Sequence, residues 1–123
     1  MEAQAQVLEN QLWYKIVEVD KDGNIKSLFH GTDGSRILKK NRWMTADVKT
    51  VRDGTNNSYY ESGWHVIPSY RECKKYLEHF KILHNKKIAK CKVKVIWPKT
   101  HSRSNVWLSK KLIIKEIVNE RRR

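Results

Sequence analysis

Between Ile88 and Trp97 the chain alternates without interruption. Ala89, Cys91, Val93, Val95 and Trp97 fall on one side, and Lys90, Lys92 and Lys94 on the other. A period of two is the signature of an extended strand, and charges on alternate positions mean that only one side is buried. The spacing therefore predicts a β-strand over Ile88–Trp97 in an antiparallel sheet with one covered face. The lysine side is solvated or meets a ligand or a second subunit.

The rest of the chain supplies partners for that strand. Leu12–Val19 alternates in the same way, with Leu12, Tyr14 and Ile16 on one face and Trp13, Val17 and Val19 nearer the other. Asp20-Lys-Asp-Gly23 has turn chemistry, so Asn24–His30 is expected to return as a second strand. Gly31–Ser35 and Asp53–Ser58 read as loops, and Tyr59–Ile67 as a strand. Arg36–Val51 is open, with one short helix or strand around Trp43. Asn105–Ser109 and Leu112–Val118 are the last two strand segments.

Helix signals are concentrated at Pro68-Ser69. Ser69 followed by Glu72 is a capping box, and Cys73, Tyr76, Leu77, Phe80 and Leu83 form an apolar stripe that ends near His84-Asn85. Residues 2–10 are rich in Ala, Gln, Leu and Glu and predict a short N-terminal helix. The expected architecture is α+β: an antiparallel sheet of five or six strands with one main helix on a face. All 123 residues fit one domain. No internal repeat is present, and Arg121–Arg123 is a charged tail.

No apolar run approaches the roughly 20 residues of a membrane span, and the N-terminus lacks a signal-peptide pattern. Cys73 and Cys91 have no CxxC spacing and fall in the predicted helix and strand, so two buried thiols in a cytoplasmic protein are expected. Carboxylates are scattered, without a pair spaced for acid–base work. His79 and His84 are off a common helical face, so no metal site is expected. Neither a catalytic residue nor a cofactor is assigned. Walker and Rossmann glycine loops are absent.

The charge is the positive functional signal. A formal net charge of +13 exceeds what solubility requires of a small domain and points to an anionic partner. Lys99–Asn105 is seven polar residues between two strand-like runs. Such a segment has nothing to bury, but its arginine fork and shorter donors suit phosphate oxygens. Gly34-Ser-Arg36, Arg52-Asp-Gly-Thr55 and His101-Ser-Arg-Ser-Asn105 each combine an arginine with small donors. The candidate ligand-binding residues are Arg36, Arg52, Thr55, His65, His101, Arg103, Ser104 and Asn105. Nucleic acid is the second partner class, since five tryptophans interleave with lysines, but no helix carries a basic stripe shaped for a major groove.

Two resemblances bear on the function. Phe29-His-Gly-Thr32, then Gly63-Trp-His-Val66 with Tyr70 and Tyr76, resembles the first two signatures of ADP-ribosyltransferase-like folds. That resemblance implies a stacking aromatic where His65 stands, and a catalytic glutamate signature in which neither Glu116 nor Glu120 sits. The broader one spans residues 12–118. Trp13-Tyr-Lys-Ile-Val-Glu-Val, Leu28-Phe-His-Gly-Thr-Asp-Gly-Ser-Arg, Val51-Arg-Asp-Gly-Thr, Ser62-Gly-Trp-His-Val and His101-Ser-Arg-Ser-Asn-Val resemble the first family of phage Thoeris anti-defense proteins. The resemblance implies a sponge that binds the cyclic ADP-ribose isomer made by TIR-domain sensors without degrading it. It further implies a homo-hexamer built as a trimer of dimers, and separate sites for cyclic oligonucleotide signals of CBASS defense. If the chain is phage-encoded, its place is the host cytoplasm.

Overall fold

The computed structural model describes residues 8–28, 37–46, 50–52, 59–80, 85–99 and 105–118. Within them the architecture is α+β, mostly antiparallel sheet with a short helix. The strands are β1 (Trp13–Val19), β2 (Ile25–Lys26), β3 (Ile37–Leu38), β4 (Met44–Thr45), β5 (Thr50–Arg52), β6 (Tyr59–Glu61), β7 (Trp64–Val66), β8 (Lys86–Pro98) and β9 (Trp107–Ile117); the helix α1 is Tyr70–Leu77. Seven strands form the main sheet, and β5 and β6 pair separately. No described helix is long and apolar enough to cross a membrane.

The alternating segment is the centre of the fold. β8 pairs with β1 along one edge, Trp13 opposite Cys91, and with β9 along the other, Val93 opposite Leu112. On its far edge β9 pairs with β4 and, end to end with it, β7. Ile67, just after β7, then exchanges two backbone hydrogen bonds with Tyr14 of β1, at 2.7 and 2.8 Å. Pairing thus runs from β1 through β8, β9 and β7 back to β1, and the sheet closes into a small ring. Closure satisfies backbone groups that an open edge would leave unpaired.

The ring encloses the larger core: Trp13, Val17, Trp64, Val66, Ala89, Cys91, Val93, Leu112 and Ile114 are buried there, joined by Leu38. The Trp13 and Trp107 rings meet at 5.7 Å, and the Trp13 indole N–H donates to the Leu8 carbonyl at 2.7 Å. α1 covers a second cluster outside the ring, where Cys73 packs with Ile16, Ile67, Ile88 and Val106. Tyr14 and Ile16 therefore face the helix and Trp13 and Val17 face inward, as the alternation predicts.

Several elements differ from the sequence expectation. Tyr59–Ile67 is two strands in different sheets, parted at Ser62-Gly63. A Cβ at Gly63 would lie 2.8 Å from the Ser109 carbonyl oxygen and 3.3 Å from two Trp97 ring atoms, so the chain crosses β9 where only glycine fits. The two C-terminal segments are one strand, because Ser109 and Lys111 are held in the ladder by β8 on one side and by β7 and β4 on the other. One extra residue in β9 near Lys115 makes a bulge, where the register shifts between Lys90 and Cys91. Of the two options left open around Trp43, the chain takes the short strand, Met44–Thr45. The second strand keeps only Ile25–Lys26; residues 29 and 30 lie outside the description. α1 stops at Leu77, and tighter bonds from His79 N–H to Tyr76 O and Phe80 N–H to Leu77 O follow it. Residues 8–10 are helical; residues 2–7, 81–84 and 119–123 are outside the description.

Val95 is the local exception in β8. Its side chain is 51% exposed and its φ is 56°, rare for a β-branched residue. Its N–H donates to the Glu9 carboxylate at 2.9 Å. The inward parity of β8 therefore holds from Ala89 to Val93 and is lost at Val95.

Candidate ligand-binding end of the sheet

β2, β7 and β8 run in the same direction, so their C-terminal ends leave the sheet the same way. They are not level with one another. Lys26 lies beside Glu18, which faces Lys86 at the start of β8, whereas Pro98 ends that strand. The structure consequently separates the anchor of Arg36, next to Ile37 of β3, from the anchors of the Lys99–Asn105 segment. Arg36, Thr55, His101, Arg103 and Ser104 lie outside the described residues. Arg52 ends β5 opposite Tyr59 in the two-stranded sheet.

His65 lies within the β7–β9 ladder, and Asn105 lies just before it. His65 is the middle residue of β7, half-buried and opposite Leu108, and Val66 faces Trp107. Asn105 precedes β9 and is exposed, with both ends of its amide engaged. Its Oδ1 accepts from the Trp107 indole N–H at 2.9 Å, and its Nδ2 donates to Glu72 Oε1 at 3.4 Å. Glu72 Oε2 in turn accepts from Ser69 Oγ at 2.9 Å, and Ser69 Oγ accepts from the Glu72 N–H at 3.2 Å. The capping box predicted for α1 is thus also a clamp on the polar segment. Lys99 N–H donating to Val106 O at 3.0 Å holds its two ends together. Asn105 fixes the foot of the segment.

Beneath this end lies a residue the sequence reading passed over. Lys15 has the inward parity of Trp13 and Val17 and is 7% exposed. Its Nζ donates to the His65 carbonyl at 3.0 Å and lies 5.8 Å from the Trp64 ring centroid. Burial pushes its ammonium down to about 8, because the charged form loses its water. Burial likewise pushes the Cys73 and Cys91 thiols up to about 12, and both are free. No group of three or more His, Cys, Asp or Glu side chains suited to a metal occurs among the described residues. The Trp97 indole nitrogen and Ser109 Oγ are buried without a hydrogen-bond partner.

No family model, curated protein or solved structure matches this chain.

Proposed function

We propose that the chain is a phage-type anti-defense sponge, which binds and sequesters cyclic nucleotide immune signals without cleaving them. Cyclic ADP-ribose isomers are the first ligand class and cyclic oligonucleotides the second. The observation that carries this reading is the clamped foot of the Lys99–Asn105 segment. Side-chain bonds among Ser69, Glu72, Asn105 and Trp107 fix where it rejoins the sheet, and the Lys99 N–H to Val106 carbonyl bond ties its start to that point. A donor-rich segment anchored before the ligand arrives has less ordering entropy to lose on binding. A chain charge of +13 draws the phosphates in. In this reading the site is assembled between copies in a homo-hexamer, a trimer of dimers, in the host cytoplasm.

The test is to mix the pure protein with candidate cyclic nucleotides, denature it by heat, and analyse what is released. Intact ligand is expected. A chemically altered product would replace the sponge with an enzyme, and retention of long nucleic acid alone would replace it with a nucleic-acid binder. Arg103→Ala should weaken binding about ten- to a hundredfold, the loss of one charge-assisted hydrogen bond, and leave the melting temperature unchanged. Light scattering showing a stable monomer at micromolar concentration would remove the hexamer.

A further inference from the structure

The outer face of the β8–β9–β4 region has an unusual charge pattern. Its first rung is neutral: Lys90 Nζ meets Glu116 Oε1 at 2.8 Å, and Lys90 and Glu116 are cross-strand partners. The next two rungs on this face carry no acid. Lys92 faces Ile113, and Lys94 faces Lys111. Across β9, Thr45 pairs with Lys111, and Met44 with Leu112. Met44 packs on the inner core, so its neighbours Trp43 and Thr45 share the outer face with the lysines. Trp43 is 40% exposed, and Lys94 Nζ stands 4.5 Å from its ring centroid. None of the ion pairs among the described residues involves Lys92, Lys94 or Lys111.

Like charges directly opposite one another destabilise a sheet. Lys94 and Lys111 are such a pair, and Lys92 adds a third positive charge two residues away on the same strand. Glu116, the acid of the first rung, is committed to Lys90, and the Glu9 carboxylate accepts from the Val95 N–H beside Lys94 without an ion pair to any of the three lysines. A phosphate chain laid across these rungs would neutralise the three lysines. The tryptophan at their margin has the size and exposure to stack a base. The Lys94–Trp43 contact shows that the ring already attracts a cation from across β9.

We propose that this face binds single-stranded nucleic acid, with phosphates on Lys92, Lys94 and Lys111 and a base stacked on Trp43. A base that takes the ring releases Lys94 to the neighbouring phosphate. Single strands fit better than duplex because stacking on Trp43 needs an unpaired base, and the face is a sheet surface without a helix to enter a groove. The proposal is independent of the Lys99–Asn105 segment and of the sponge reading.

The experiment measures binding of labelled oligothymidylate and oligouridylate of about 15 nucleotides, the matching duplex, and heparin across a salt series. Single strands are expected to bind more tightly than duplex, with log K falling against log salt at a slope of about −2, as for three phosphate contacts. Trp43→Leu should weaken single-strand binding about five- to 150-fold. Lys94→Gln with Lys111→Gln should flatten the slope by about 1.4. Retention of cyclic nucleotide should be unaffected by either set, which separates this site from the sponge site. Heparin or duplex binding as tight as single-strand binding, or affinity and slope unchanged in the variants, would overturn the proposal. So would the absence of oligonucleotide binding. If Trp43→Leu fails to fold, the exposed Lys111→Glu decides the matter by the same measurements.

Discussion

The inside of the strand ring and the layer under α1 are built to different standards. The ring holds ten buried hydrophobic residues, four of them tryptophan or leucine side chains, and the helix-covered cluster holds five. Around the five stand Tyr14, Leu28, Tyr70, Tyr76, Leu77, Phe80 and Val118, all only partly buried. Dispersion and area burial scale with enclosed surface, so the ring carries the larger share of stability and the helix layer the smaller. Yet the ring, and not the helix layer, contains the buried cation Lys15. A strong core tolerates a costly group that a shallow one would expel.

The sharpest way to break this contrast is Trp13→Ala. It removes a fully buried indole from the ring and should cost about 3–5 kcal/mol, enough to unfold a marginal domain in a urea titration. Lys15→Met tests the cation. The folded state holds the Lys15 ammonium down to about 8 against an ordinary 10.5, so the unfolded chain binds the proton more tightly. The penalty is complete below pH 8 and disappears as pH rises through 10.5. Two and a half pH units correspond to about 3 kcal/mol. At pH 7 Lys15→Met should be the more stable protein, and its advantage should shrink between pH 8 and 10.5. An advantage independent of pH would mean that Lys15 is solvated.

A smaller effect is expected at the crossing where β7 meets β9. Gly63→Ala presses a methyl against the Ser109 backbone carbonyl, which has no flexible end to swing away, and should cost about 1–3 kcal/mol by thermal melting. The smallest is at the helix. Ser69→Ala removes the N-cap and should cost about 1 kcal/mol, with amide exchange rising in α1 and unchanged in β8. Equal exchange in both would show that ring and helix layer open as one unit.

The alternation of β8 from Ala89 to Val93 and the capping box of α1 were legible because each is enforced by local chemistry; beyond Val95 it is Ile96, and not Trp97, that packs on the inner core. So was the division of β1, where Trp13 and Val17 point inward and Tyr14 and Ile16 outward. The same parity places Lys15 with Trp13, but a lysine is expected to face water, and that expectation hid it. Val95 was not legible, since its backbone turns to meet Glu9, a residue from the other end of the chain. Nor was the break at Gly63, which depends on how closely β9 passes. Of the candidate site, the role of Asn105 needed Glu72, which only the fold brings beside it. His65 was named on resemblance; its backbone carbonyl, which receives Lys15, leaves no trace in sequence.

The closed ring also sets the order of events in time. The β8–β9 hairpin joins neighbours in sequence and is free to form early. β1 must find β8 across most of the chain, Trp13 beside Cys91, and the Tyr14–Ile67 bridge can form only where β1 and β7 come together. Loop closure on that scale is slow, so the folding rate of this protein belongs with β-barrels, in milliseconds to seconds, rather than with helical domains of its length. Until the last bridge forms, β1 presents an unpaired edge to its neighbours in solution. A nascent chain is then most exposed to strand exchange with a second copy of itself.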